Sequence, residues 1–155
     1  MNIFIINRQR RIRIPVANMK RLAGLFMKKA AAMNPRVRWV ECSVVIVGHR
    51  EMTGLNERIL RHTGTTDVIT FSYATSPGEE PAGRRGEIVI NAEEAAAAAK
   101  LRRIPVFREL ALYLAHGCQH LGGADDATPR QRAAMNRRQN RWLRSAFTPS
   151  KDRAT

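Results

Sequence analysis

His116 and His120 stand four residues apart, and Gly122, Gly123, Asp125 and Asp126 follow them. On a helix, four residues advance about 40° past one full turn, so both imidazoles project from one face. They can share one ion at roughly 2.0–2.1 Å from each nitrogen. A third ligand has to swing back toward the same point, so the helix must stop soon after His120. Gly122 and Gly123 permit that reversal, because glycine takes positive φ at little cost. Either Asp125 or Asp126 is then placed to supply a carboxylate. Two neutral imidazoles and one carboxylate suit a single Zn2+ ion, and three protein ligands leave a position open for water. Such a site is built for chemistry: bound water is easier to deprotonate, and an anionic oxygen can be polarised. Zinc proteases of the His-Glu-x-x-His pattern place a general base beside the first histidine; here Gly117 occupies that place, which disfavours peptide hydrolysis by that route. No general base stands out elsewhere. Cys118 reads as a core residue, and His49 and His62 as surface or loop residues rather than ligands.

The elements that must position these groups follow from periodicity and punctuation. Residues 105–121 form the strongest helix, with Val106, Leu110, Leu114 and Leu121 on apolar faces and the glycine pair at its end. Thr128 followed by Pro129 opens a last helix to about Ala146, with Met135, Trp142 and Leu143 inward. Asn91 caps an alanine-rich helix whose acids lead and whose bases trail, in accord with the helix dipole. Pro15 opens a helix over 16–33, striped by Val16, Met19, Leu22, Ala23, Phe26 and Ala30. Residues 2–7 read as a strand, with 11–14 continuing it or pairing beside it. The run 37–48, nearly all apolar at its end, suits an interior strand. Residues 51–62 form a short helix or helical turn, and 67–73 and 87–91 are two more strands, joined across a loop rich in Pro and Gly as a possible hairpin. The expected fold is α+β: a small mixed four-stranded sheet packed with about five helices, with the metal site at the C-terminal end of a central helix. One domain over 1–147 and a flexible tail over 148–155 are expected.

Charge says what such a site would act on. Lys and Arg number 27 against 13 Asp and Glu, a net charge of +14 on 155 residues. The excess is segregated: residues 1–40 hold ten Lys or Arg and no acid, and residues 128–155 hold eight against Asp152 alone. A polyanionic partner, most simply nucleic acid, fits this balance; a neutral or cationic substrate does not. Arg58, Arg61, Arg84 and Arg85 lie in loops or a short helix, where they could contact phosphate or RNA. Two cysteines without a CxxC spacing argue against a disulfide framework. The N-terminal apolar run is too short for a signal peptide, and no segment approaches a membrane span. The expected location is the cytoplasm, away from membranes.

Three blocks of the chain resemble the YbeY endoribonucleases, also called ribosomal RNA maturation factors. The first is HGCQHLGGADD (116–126), similar to the family's H-G-x-x-H-L-x-G-x-D-H. The second is LNERILRHTGTTDVITF (55–71), and the third is GEIVINAEEA (86–95). Their order and spacing cover most of the chain. The resemblance implies a mixed α/β fold, one zinc ion at a helix end, and cleavage of single-stranded RNA during ribosomal RNA maturation, with ribosomal RNA and ribosomal particles as partners. It places Asp126 where the family has its third histidine, which makes the metal set His116, His120 and Asp126. It leaves Asp125 to accept from a ligand histidine or to cap the turn. A family arginine falls on Leu60, flanked here by Arg58 and Arg61, the candidates for phosphate contact. Two rival functions are a non-catalytic RNA-binding ribosome-assembly factor with a structural zinc, and a metal hydrolase of another substrate.

Overall fold

The computed structural model describes residues 1–148. Strands β1 (Asn2–Asn7), β2 (Trp39–Val47), β3 (Val68–Ala74) and β4 (Arg84–Asn91) form one sheet in the order β1-β2-β4-β3. β1, β2 and β4 run parallel, and β3 pairs antiparallel with β4 across the Pro- and Gly-rich loop. Side chains alternate between the two faces, and both faces are covered over the upper part of the sheet. Ile5, Val44, Ile46, Ile88 and Ile90 join the main core. Val45, Val47, Ile69 and Val89 face the other way and pack against Met52 and Leu55. Two-sided burial explains why β2 reads as a nearly unbroken apolar run.

Helices α1 (Val16–Met33), α3 (Ala92–Arg102), α4 (Val106–Leu121) and α5 (Pro129–Phe147) build the main core, and α2 (His49–Ile59) covers the other face. Two of them, α3 and α5, begin at a side-chain cap. Asn91 Oδ1 accepts from Glu94 N at 3.2 Å. Thr128 and Gln131 exchange side-chain and backbone hydrogen bonds at 3.1 and 3.0 Å, a capping box, with Pro129 at the first helical position. Phe26 stacks on Trp142 at 5.9 Å between ring centres and ties α1 to α5.

Glycines let α4 lie flat on the sheet. A Cβ on Gly117 would come within 2.7 Å of Ile88 Cγ2, and one on Gly86 within 2.8 Å of Leu121 Cδ1. The helix therefore touches β4 at two places through residues without side chains, and the turn bearing His116 is held at a fixed height above the strands.

The expected strand extension over 11–14 is absent. The Gln9 carboxamide donates to Asn7 Oδ1 and to Ile12 O and accepts from Ile12 N, at 2.8–2.9 Å, which closes the chain into a local turn after β1. Ile14 is buried there as an anchor, not as a strand residue. The tail expected over 148–155 lies, from residue 149 on, outside the described residues. Among the described residues no helix is long and apolar enough to cross a membrane.

Candidate metal centre

α4 delivers the two histidines on one face, and the way it ends delivers the carboxylate. Gly122 is the last residue with helical dihedrals, and Gly123 takes φ +99°. Gly123 N donates to His120 O and Ala124 N to Gln119 O, both at 3.0 Å, the crossed pair of bonds of a Schellman ending. The positive φ falls on Gly123 alone of the pair. The chain reverses there, and five residues after the end of α4 Asp126 has come back beside the imidazoles.

His116 Nε2 lies 3.1 Å from His120 Nε2, and Asp126 Oδ2 lies 3.7 and 3.5 Å from them. Ligands about 2.05 Å from a tetrahedral ion are separated by about 3.3 Å along each edge. The observed triangle has nearly that edge on all three sides, so the residues fit a zinc ion. Ligand chemistry agrees. His120 Nδ1 lies 3.1 Å from Ala124 O. A carbonyl only accepts, so Nδ1 carries the proton and Nε2 keeps its lone pair toward the centre. Burial holds His116 below its ordinary value and the adjacent His120 adds to the effect, against the opposing pull of Asp67, Asp126 and the Gln139 side chain. His116 therefore stays neutral, as a ligand must. Among the described residues no fourth His, Cys, Asp or Glu joins the group.

The other expected residues fall into place around this centre. Asp125 is exposed, and its Oδ1 accepts from Asp126 N at 2.8 Å; it steadies the backbone of Asp126, and Ala124 O orients His120. Cys118 is fully buried. Burial, and then the proximity of Cys42, pushes its thiol well up; burial and the neighbouring Glu41 and Glu87 push Cys42 up to about 12. Neither offers a thiolate at neutral pH. Arg84 donates to Ser72 Oγ at 2.8 Å, and Arg85 is paired with Glu79 and lies 3.7 Å from Glu41. Arg61 is exposed at φ +55° in the loop after α2. His62 is exposed, and His49 opens α2, where its Nδ1 meets the Asn91 amide at 3.0 Å.

Arg58 lines a wide crevice that sequence reasoning did not locate. The crevice measures about 990 Å³ and lies at the carboxyl ends of β1, β2 and β4, where Arg8, Arg10, Arg11 and Arg50 gather. Ligand sites of open parallel sheets favour this end of the strands. The basic N-terminal run hinted at it, but only the parallel pairing of β1 with β2 brings these arginines to α2. Sequence reasoning also passed over the polar cleft against His116, walled by Asp67, Tyr113, Asn136, Gln139 and Asn140. The spacing of its three carboxamides on α5 was the available sign.

A family model described as Endoribonuclease YbeY matches residues 4–146. An Endoribonuclease YbeY of Elusimicrobium minutum is 35% identical over 99 residues, covering 62% of this chain and 67% of its own. One from Thermodesulfovibrio yellowstonii is 28% identical over 162 aligned residues, covering 96% of this chain and 99% of its own. A solution structure of a Thermotoga maritima protein superposes with a TM-score of 0.61 at 19% identity, covering 94% of this chain and 89% of that one, a likeness of fold.

Proposed function

This chain belongs to the YbeY endoribonuclease family, and on that premise we propose that it is a zinc-dependent endoribonuclease cutting single-stranded RNA in ribosomal RNA maturation. The observation that carries the reading is the triangle of His116, His120 and Asp126, with edges of 3.1, 3.7 and 3.5 Å and no fourth ligand among the described residues. A structural zinc usually closes with a fourth Cys or His. An open centre favours catalysis over a purely architectural role, and so speaks against the assembly-factor reading.

His116, His120 and Asp126 hold the ion in this reading. When bound, zinc would supply polarisation of a phosphate oxygen and a more acidic water. The protein's own groups do the rest. Ala124 O fixes the tautomer of His120, burial keeps His116 neutral, and Asp125 steadies Asp126. Arg58, on the wall of the crevice, and Arg61, in the loop after α2, are the candidates to hold the RNA backbone, together with the other arginines of the crevice. Arg84 and Arg85, at the amino end of β4 and engaged by Ser72, Glu41 and Glu79, are further candidates for RNA contact away from the crevice. The excess of positive charge favours ribosomal RNA and ribosomal particles as partners over a neutral substrate of some other hydrolase, and the cytoplasm is the matching location.

The test is cleavage of a single-stranded RNA by the zinc-loaded protein, by the same protein with chelator, and by His116→Ala. Cleavage is expected to disappear in the last two while RNA binding persists. Undiminished cleavage in chelator overturns the reading.

A further inference from the structure

The last helix carries a charge pattern that neither the metal centre nor the core uses. α5 holds six arginines in 19 residues and no Asp or Glu. Two of the six serve the fold. Arg132 donates to Asp126 O and Ala127 O at 3.1 and 3.3 Å, and Arg138 donates to Gln119 Oε1 at 3.1 Å. The other four, Arg130, Arg137, Arg141 and Arg144, are exposed, and the ion pairs among the described residues include none of them.

At about 100° per residue these four fall within about 60° of arc. They lie nearly opposite the buried Met135, Gln139 and Trp142. The result is an outward stripe roughly 21 Å long, running from the first turn of the helix to the last. The pattern works against the helix itself. Arg137 and Arg141 repel at i, i+4, and Arg141 and Arg144 repel at i, i+3. Arg130 stands at the positive end of the helix dipole, with no acid in the first turn. A facing polyanion relieves all three at once.

The surroundings narrow the polyanion. Among the described residues, no large exposed apolar side chain lies on α5. The face therefore lacks the apolar insertion by which a basic amphipathic helix holds a membrane surface. Guanidinium groups set along a line suit a chain of phosphates, which they can grip in a bidentate way. The stripe also adjoins the metal centre. α5 starts three residues after Asp126, and Arg132 ties its first turn to the carbonyl of that residue. Asn136 and Asn140 line the cleft that has His116 in its wall, and Arg137 and Arg141 follow them in sequence. No residue of α5 lines the arginine crevice at the carboxyl ends of the strands.

We propose that the outer face of α5 is the track for the RNA strand on one side of the scissile phosphate. The strand leaves the metal centre over Asn136 and Asn140, and Arg130, Arg137, Arg141 and Arg144 hold its phosphates. The track rests on the endoribonuclease reading for its substrate, and it adds a second backbone contact surface beside the crevice.

The experiment compares the zinc-loaded protein with two fourfold variants of equal charge. One carries Arg130→Gln, Arg137→Gln, Arg141→Gln and Arg144→Gln. The other carries Lys20→Gln, Arg21→Gln, Lys28→Gln and Lys29→Gln on α1. Fluorescence anisotropy follows binding of an unstructured oligouridylate, long enough to cover the metal centre and the stripe, across a salt series. The stripe variant should lower the slope of log K against log salt by about 3, since each phosphate contact on a single strand contributes about 0.7. The α1 variant should lower it by less than about 1. The four Arg→Lys changes at the stripe should restore the slope, which a merely structural role for the arginines would not predict. Equal slopes for the two Gln variants overturn the track, because only the general field of the protein would then be at work. Phosphatidylserine vesicles that lose affinity for the stripe variant while RNA does not would give the face to a membrane and overturn it too. RNA cut by the unaltered protein, with equal slopes for the variants, sinks the track and leaves the nuclease standing. The expected slopes in a protein that cuts no RNA would sink the nuclease reading and leave the track.

Discussion

At the end of α4, three ligand atoms lie within 3.7 Å of one another, and the turn that brings them together is closed by backbone bonds from Gly122, Gly123 and Ala124 at 2.9–3.0 Å. At the carboxyl ends of β1 and β2, five arginines face a crevice of about 990 Å³, and the contacts there are exposed ion pairs such as Arg8–Glu51 at 2.7 Å and Arg11–Glu93 at 3.3 Å. Pairs of that kind contribute roughly 0–1 kcal/mol each. The first region is specified by geometry, and one misplaced atom disables it. The second is specified by summed charge, and no single group decides it. A protein that must cut at one bond but hold a long polyanion has use for both.

Substitutions at each region can break this contrast. The largest effect is expected from Asp126→Asn, which keeps the side-chain shape but removes the anionic ligand. Zinc affinity should fall on the order of 100-fold, at the top of the range seen when even outer partners of a metal are lost. Competition with a chromophoric chelator measures it, and a loss below threefold would mean that the carboxylate is not a ligand. Next comes Gly117→Val, whose branched side chain would meet Ile88, Thr70 and Val68. Forcing α4 off the sheet should cost about 1–3 kcal/mol in urea unfolding, as overpacking does. Unchanged stability would show that the helix can slide, and the argument for a fixed His116 would go with it. The smallest effect belongs to Arg58→Ala. Stability should stay within about 0.5 kcal/mol, as for most surface changes. RNA binding should weaken for all sequences alike, with the slope of log K against log salt reduced by about one. A sequence-dependent loss would make Arg58 a specificity residue and erase the contrast.

The metal corner was legible because everything in it is local. Two histidines at helical spacing, a glycine pair and a following carboxylate fall within 11 residues of chain, from His116 to Asp126. Helical periodicity alone places the imidazoles on one face. Periodicity does not say which glycine takes positive φ, and the crossed hydrogen bonds assign that role to Gly123. The arginine crevice was legible only as an excess of charge, because its location depends on parallel pairings between residues about 40 apart. Asn136, Gln139 and Asn140 looked like an ordinary polar helix surface until Asp67 and His116 were packed against them. Residues 11–14 misled for the opposite reason. Arg-Ile-Arg-Ile alternates as a strand should, but the Gln9 side chain supplies the hydrogen bonds a neighbouring strand would have supplied.

Cys118 sits midway between the two histidines in sequence, on the same helix, yet its sulfur faces the core, and burial keeps it and Cys42 protonated. The donors left to an incoming cation are therefore nitrogen and oxygen only. Soft ions such as copper(I), which depend on thiolate for their grip, gain no foothold beside the histidines. By turning one side chain inward, the fold has settled part of the competition among metals before any ion arrives.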